Sequence, residues 1–161
     1  MNQRPQKWHP QGQRKGGDRA TNTSPPEWFS SFQVGEKFSE FPPDKMVKLA
    51  EDIGKDLSRE DLSTQLRKIF FSAKKLEHLK EEEIPSEAYL LGPRYLYTAV
   101  RKLEQKQRNP SEAVRRFVYF ARLLTNIIPT LKDRQDVKYF VKFIEAVIAY
   151  QRYYSSASKN R

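Results

Sequence analysis

The side chains that most often perform catalysis are scarce in this sequence. It has no Cys, which excludes a thiol nucleophile, a disulfide scaffold and Cys-ligated zinc. His9 lies in a polar N-terminal stretch and His78 late in a predicted helix, and neither belongs to a metal-binding spacing such as H-E-x-x-H. The adjacent carboxylates of Glu81–Glu83 do not converge on one ion, and no glycine-rich phosphate loop is present. We therefore predict a non-catalytic protein with no metal ion and no cofactor.

Basic side chains at helical spacing are the remaining candidates for chemistry. Arg94, Arg101 and Arg108 recur every seven residues, which predicts one helix face with its arginines about 10 Å apart along the axis. Two other predicted faces place an aromatic residue between basic ones. They are Arg115, Tyr119, Arg122 and Asn126 on one helix, and Arg67, Phe71, Lys74 and His78 on another. Such faces suit phosphate contacts combined with stacking, although solvated faces or arginines paired with acids are the alternative.

The charge of the chain favours a polyanion as partner. The 161 residues include 30 Lys and Arg against 20 Asp and Glu, for a net charge of +10, and nearly all of the excess lies C-terminal to residue 100. Because no recognition signature for bases is present, we expect backbone or shape recognition. No secretory signal or membrane-spanning run is found, so we expect a cytoplasmic protein without a membrane or small-molecule partner.

The elements that position these side chains are predicted to be helices. From Pro43 onward every periodic segment has a 3.6-residue period, which indicates an all-α, compact bundle of about five helices. The predicted segments are 44–57, 63–79, a short turn at 86–91 with a restart at Pro93, 110–128 and 134–154. Ser63, Ser86, Asn109 and Asp133 are the predicted caps. The fifth helix is apolar over most of its circumference, which predicts a central position.

The chain N-terminal to the bundle is predicted to differ in character. We divide the chain into a flexible basic and aromatic tail (1–42), a helical bundle domain (43–155) and a flexible C-terminus (156–161). Residues 1 to about 26 have a composition typical of disorder. Five aromatic residues follow, and they either pack back on the bundle or dock on a neighbouring subunit. They are Trp28, Phe29, Phe32, Phe38 and Phe41.

Three segments, in order, resemble the signatures of a known family. The first is L-S-T-Q-L-R-K-I-F at 62–70, and the second is Y-T-A-V-R at 97–101, preceded by Pro93. The third is F-I-E-A-V-I-A-Y at 143–150, followed by Tyr153 and Tyr154. Over about residues 44–155 the chain resembles the small helical subunit of the type III-A CRISPR effector, the Csm complex.

The resemblance implies a non-catalytic subunit in antiviral defence. Members stack in several copies along the backbone subunits and help to hold guide (CRISPR) RNA and target RNA, so the implied partners are both RNAs, the backbone and large subunits and further copies of the chain. Arg67, Lys68 and Arg101 become candidate RNA contacts, whereas Tyr97 is expected in the core and Glu145 in a pairing with an arginine of another helix. The basic faces add further RNA-binding candidates: Lys74, Arg94, Arg108, Arg115 and Arg122.

Three other interpretations remain open at this point. The equivalent small subunit of the type III-B (Cmr) complex is similarly small and helical. A helical protein–protein scaffold without direct RNA contact would place its basic faces against acidic partners. A helix-turn-helix DNA-binding protein is the least supported, because no short turn joins two helices of suitable pattern.

Overall fold

The chain folds into helices that bury the apolar residues spaced at the helical period, as the sequence predicts. The structure is a computed structural model that describes residues 24–106 and 108–160, and within these ranges it contains α-helices and short 3₁₀ turns but no strand. The five helices are α1 (Pro43–Leu57), α2 (Ser63–Lys75), α3 (Ile84–Gln105), α4 (Glu112–Ile127) and α5 (Arg134–Lys159). The all-α prediction is confirmed. The predicted disorder of residues 1 to about 26 falls mainly on residues 1–23, which lie outside the described ranges.

The core is built from two helix pairs, which are joined by α2 and by direct packing of α1 on α4. Helix α1 packs along α5, α3 packs along α4, and α2 contacts both α3 and α5. Helices α1 and α5 approach closely at Gly54, where a Cβ atom would lie 2.6 Å from the Cβ of Tyr150. The sequence predicts a central position for α5, surrounded by the other helices, but one stripe along α5 stays exposed. That stripe consists of Lys138, Lys142, Glu145, Ala149 and Arg152.

Helix α3 is continuous, and the predicted break at Gly92-Pro93 is wrong. A residue before proline normally avoids the α conformation because its Cβ clashes with the proline ring, and Gly92 has no Cβ. Pro93 also removes the hydrogen bond to the carbonyl of Tyr89, and both residues are exposed, so water can take the place of the missing donor. The helix therefore runs through the proline for 22 residues, and it begins at Ile84, so Ser86 lies inside it and is not its cap.

The predicted helix caps have mixed outcomes. Asp133 caps α5 as predicted, because its carboxylate accepts the backbone N–H of Asp136 at 2.8 Å. The cap of α4 is Ser111 rather than Asn109, and its hydroxyl accepts the N–H of Val114 at 3.3 Å. Ser63 does not cap α2, because its hydroxyl donates to Asp61 at 2.7 Å. The ends of two helices also shift, since α2 gives way to a 3₁₀ turn at Leu76–His78 and α5 extends past 154.

The described part of the N-terminal segment packs on the bundle, which is the first of its two predicted alternatives. We call residues 26–41 the aromatic arm. Trp28 and Phe32 are buried, and Phe38 is fully buried against Phe143 of α5, with 5.1 Å between ring centroids. The hydroxyl of Tyr139 donates to the carbonyl of Phe41. The packed core therefore begins well before α1.

Candidate nucleic-acid interface

A groove between α2 and α3 brings two of the predicted cations together. It has a volume of about 250 Å³, and its lining includes Lys68 from α2 and Arg94 from α3. Ser72, Tyr95, Tyr97 and Thr98 complete its polar and aromatic lining. The groove therefore joins residues from the first two family-like segments, Lys68 and Tyr97, which are 29 positions apart in the sequence.

Buried tyrosine Tyr95 fixes the spacing of the two helices below this groove. Its hydroxyl donates to the carbonyl of Ile69 at 3.3 Å and lies 3.3 Å from the hydroxyl of Ser72. Burial raises the pKa of Tyr95 well above its usual range, so the hydroxyl stays neutral and remains a donor. Because one side chain of α3 is bonded to the backbone of α2, Lys68 and Arg94 are held on the same edge of the bundle.

The cations at the groove are available for an anionic partner. Lys68, Arg94 and Arg101 are all exposed, and none forms an ion pair with any residue in the described ranges. The guanidinium of Arg101 donates one hydrogen bond from Nη1 to the hydroxyl of Tyr97 at 3.0 Å. Lys74, by contrast, pairs with Glu77 at 2.9 Å. A phosphate at the groove would therefore not have to displace a carboxylate.

The expected core position of Tyr97 is wrong. Its side chain is 63% exposed, because Tyr95 and Ala99 take the inward positions of this turn of α3. Residue 97 is two positions from residue 95, which is about 200° around the helix and therefore faces outward. Tyr97 lies between Arg94 and Arg101 on the same exposed face and presents an aromatic ring beside both.

Of the three arginines predicted to share one helix face, two lie on α3 and the third does not. Helix α3 ends at Gln105, and the chain turns at Lys106, whose Nζ pairs with Glu60 at 3.0 Å. Arg108 is exposed in the connection to α4, outside the helix that carries Arg94 and Arg101. The seven-residue spacing therefore does not place Arg108 in line with the other two.

Arg67 faces a different cleft from its neighbour Lys68. This second cleft, between α2 and α5, is lined by Arg67, Phe71 and Arg152 and has a volume of about 310 Å³. Phe71 is 59% exposed, in agreement with the sequence-based expectation that Phe70 takes the inward position. Glu145 also lines the cleft, and its expected pairing with an arginine is wrong, because it forms no ion pair with any described residue.

The aromatic arm contacts the basic face of α4 through Phe29. The guanidinium of Arg122 lies 5.1 Å from the ring centroid of Phe29 and 5.4 Å from that of Tyr119. Arg115 is partly buried, and its Nε atom has no hydrogen-bond partner within the described ranges. Neither side chain lines the α2/α3 groove. The pattern predicted an aromatic ring between two cations, and the structure places one of these cations, Arg122, against two rings that contact each other at 5.3 Å between centroids.

A polar cluster that sequence reasoning missed anchors the arm to the bundle. The indole Nε1 of Trp28 donates to Asp56 at 2.7 Å, and Arg116 donates to the same carboxylate oxygen at 3.3 Å. Arg116 also pairs with Glu112 at 2.8 Å, and this guanidinium lowers the pKa of Glu112. The four residues belong to the arm, α1 and α4, so no short sequence motif could have indicated the cluster.

The described ranges show neither a metal-ligand cluster nor a membrane span. Within residues 24–106 and 108–160, no three side chains of His, Asp or Glu come together as metal ligands would. No helix in the same ranges has the length and apolar character needed to cross a bilayer.

Comparison with known proteins identifies the family of the chain. Residues 40–157 match the family model described as Csm2 Type III-A, which is the type III-A rather than the type III-B assignment. No curated protein and no solved structure matches the chain. The matched range contains all three family-like segments and the whole of the α2/α3 groove. Because the match covers well over half of its residues, the chain belongs to the Csm2 family, the small subunit of the type III-A Csm complex.

Proposed function

We propose that this small subunit contacts the guide RNA and target RNA of the complex through the α2/α3 groove, without performing a chemical step. Lys68, Arg94 and Arg101 donate charge-assisted hydrogen bonds to phosphate oxygens. Several copies of the subunit stack along the backbone subunits, so that successive grooves follow one RNA strand in antiviral defence. The proposal is carried by one observation: Lys68 and Arg94 line the groove, Arg101 is bonded to the groove residue Tyr97, and none of the three forms an ion pair with a described residue.

The remaining candidates stay predictions with weaker geometric support. Arg67 belongs to the α2/α5 cleft, and Arg108 follows the end of α3. Lys74 already has a carboxylate partner. Arg115 is partly buried, and the guanidinium of Arg122 packs against Phe29 of the arm. Contact with RNA at these positions would need a second surface of the subunit or the loss of an existing contact.

One observation favours the protein-scaffold alternative. Four large apolar or aromatic side chains of α3 are exposed, and Tyr and Arg residues are also enriched at protein interfaces. These side chains are Tyr89, Leu90, Tyr97 and Val100. If the face meets protein, the basic side chains would pair with acidic residues of a partner subunit.

The test is retention of target RNA by the reconstituted complex that carries Arg101→Ala. We expect weaker retention by a similar factor for unrelated RNA sequences, together with a shallower salt dependence, since each lost phosphate contact on a single strand lowers the slope of log affinity against log salt by about 0.7. Arg101→Lys should recover part of the loss, because an ammonium lacks the bidentate fork.

Arg59→Ala is the matched control. Arg59 is an exposed arginine near the end of α1, where it lines a cavity with Lys55 and Tyr154, so its loss changes the net charge equally at another surface. Equal salt slopes for the wild type and for Arg101→Ala in an assembled complex would overturn the proposal. Loss of co-purifying subunits with unchanged RNA affinity per assembled complex would instead support the scaffold.

A further inference from the structure

We infer that the α2/α3 groove holds an unpaired nucleotide, whose base stacks on the ring of Tyr97 while its phosphate contacts Arg101. The inference rests on the proposed function and specifies the form of RNA that the groove recognises. It starts from the position of Tyr97, which the family resemblance alone placed in the core. The ring is 63% exposed and lies at the edge of a groove that also contains Lys68 and Arg94.

The bond between Tyr97 and Arg101 gives each side chain a defined role. The Tyr97 hydroxyl accepts one N–H of the guanidinium at 3.0 Å, which leaves four of the five guanidinium donors for other partners. This bond fixes the planar fork beside the ring, so a phosphate on Arg101 and a base on Tyr97 can belong to neighbouring parts of one strand. Tyr97 is therefore a positioning residue for Arg101 as well as a stacking surface.

The chemistry of an aromatic ring selects unpaired RNA. In an A-form duplex both faces of each base are already stacked, and the major groove is too deep and narrow for side chains to read. A base can stack on a side chain only where the strand is single or the base is turned out. The groove, at about 250 Å³, is smaller than the ~300–1,000 Å³ of pockets that enclose a drug-sized ligand, so it accommodates one ring system laid along its surface.

The hydroxyl groups of the groove make the site tolerant of base identity. The Ser72 hydroxyl donates to the carbonyl of Ile69 at 2.8 Å, and the Thr98 hydroxyl donates to the carbonyl of Arg94 at 2.8 Å. Both hydroxyl protons are therefore used within their own helices and are not aimed at a base edge. Stacking alone discriminates weakly among bases, because every base has a π-face.

The experiment compares RNA binding by the full-length chain and by Tyr97 variants at low ionic strength. The probes are a fluorescently labelled single-stranded RNA of mixed sequence and the same strand in a duplex. Tyr97→Leu keeps an apolar side chain but removes the ring, and we expect affinity for the single strand to fall by about 5- to 10-fold while affinity for the duplex is unchanged. Tyr97→Phe keeps the ring and should lose no more than about 3-fold, through the missing bond to Arg101.

Tyr153→Leu is the matched control, because Tyr153 is a 66% exposed tyrosine on α5 and does not line the groove. Equal binding of the single strand by the wild type and by Tyr97→Leu would overturn the inference, as would the absence of any preference for the single strand. An accompanying Arg101→Ala variant separates the two proposals: if it weakens retention by the complex while Tyr97→Leu does not, phosphate contact stands and base stacking fails. If Tyr97→Leu loses partner subunits but no RNA affinity, the ring is a protein contact.

Discussion

Replacing Gly54 by Ala tests the close approach of α1 to α5. In a helix interior this substitution normally stabilises, by about 1 kcal/mol of helix propensity. Here the added Cβ would lie 2.6 Å from the Cβ of Tyr150 and 2.8 Å from the backbone N of Gln151. Non-bonded carbons prefer about 3.5–4.0 Å, so the two helices would have to separate by about 1 Å.

The steric cost should exceed the gain in propensity. Overpacking a well-packed core costs about 1–3 kcal/mol and occasionally more, and the upper end applies because the opposing atoms are a Cβ and backbone, which cannot rotate away. We therefore expect Gly54→Ala to lower the free energy of unfolding by about 2 kcal/mol, and the melting temperature by about 4–8 °C for a chain of this size.

Urea unfolding followed by far-ultraviolet circular dichroism measures this change. The control is Val47→Ala, an exposed site on the same helix that receives the same residue, where we expect stability within about 0.5 kcal/mol of the wild type. If Gly54→Ala were as stable as the wild type, the helices would have to cross with more clearance at this point, and the packing argument would be refuted.

Three further predictions concern the packing of the arm, the stability of the fold at alkaline pH and the absence of catalysis. Trp28→Phe should cost about 1–2 kcal/mol through the lost bond to Asp56, and Trp28→Ala about 3–5 kcal/mol, both measured by chemical unfolding; a Trp28→Phe variant as stable as the wild type would show that the bond contributes nothing. The Tyr154 hydroxyl bonds Glu51, which raises the pKa of Tyr154 to about 12, above its unfolded value near 10. This bond therefore stabilises the folded state fully below about pH 10, and the stabilisation is lost as the pH rises to about 12. The unfolding free energy of Tyr154→Phe should depend less on pH between these two values. Finally, His78→Ala should leave RNA cleavage by the reconstituted complex intact, and an assembled, RNA-holding variant that fails to cleave would contradict a non-catalytic subunit.

The helices could be predicted from the sequence because their signal is local. A buried stripe such as Val114, Phe117, Ala121 and Leu124 has the helical period whatever it packs against. The break at Gly92-Pro93 was mispredicted because two rules conflict there, and the missing Cβ of the glycine decides the outcome. The cap of α4 was missed because Asn109 and Ser111 are both good cap residues, and only the backbone path shows which side chain reaches the free N–H.

The candidate site was predictable only in part, because its geometry depends on which helices are neighbours. Exposed cations on α2 and α3 follow from the amphipathic pattern, yet the sequence does not show that Lys68 faces α3 while Arg67 faces α5. The stacking of Arg122 on Phe29 joins residues more than 90 positions apart, and no periodicity carries that information. Long-range contacts of this kind decide which side chains on a helix face remain available to a partner.

The folded part of the chain begins before the range that matches the family model, because it includes the aromatic arm. The family match starts at residue 40, whereas Trp28, Phe32 and Phe38 are already buried against the bundle. An aromatic side chain buries about 150–250 Å². A chain that begins at residue 40 would lack these aromatic side chains. It would therefore uncover an apolar area comparable with the largest patch on a typical monomer, about 300–600 Å². Such a shortened chain should self-associate through this uncovered surface. Oligomers of the truncated protein would then result from the truncation rather than from the natural assembly.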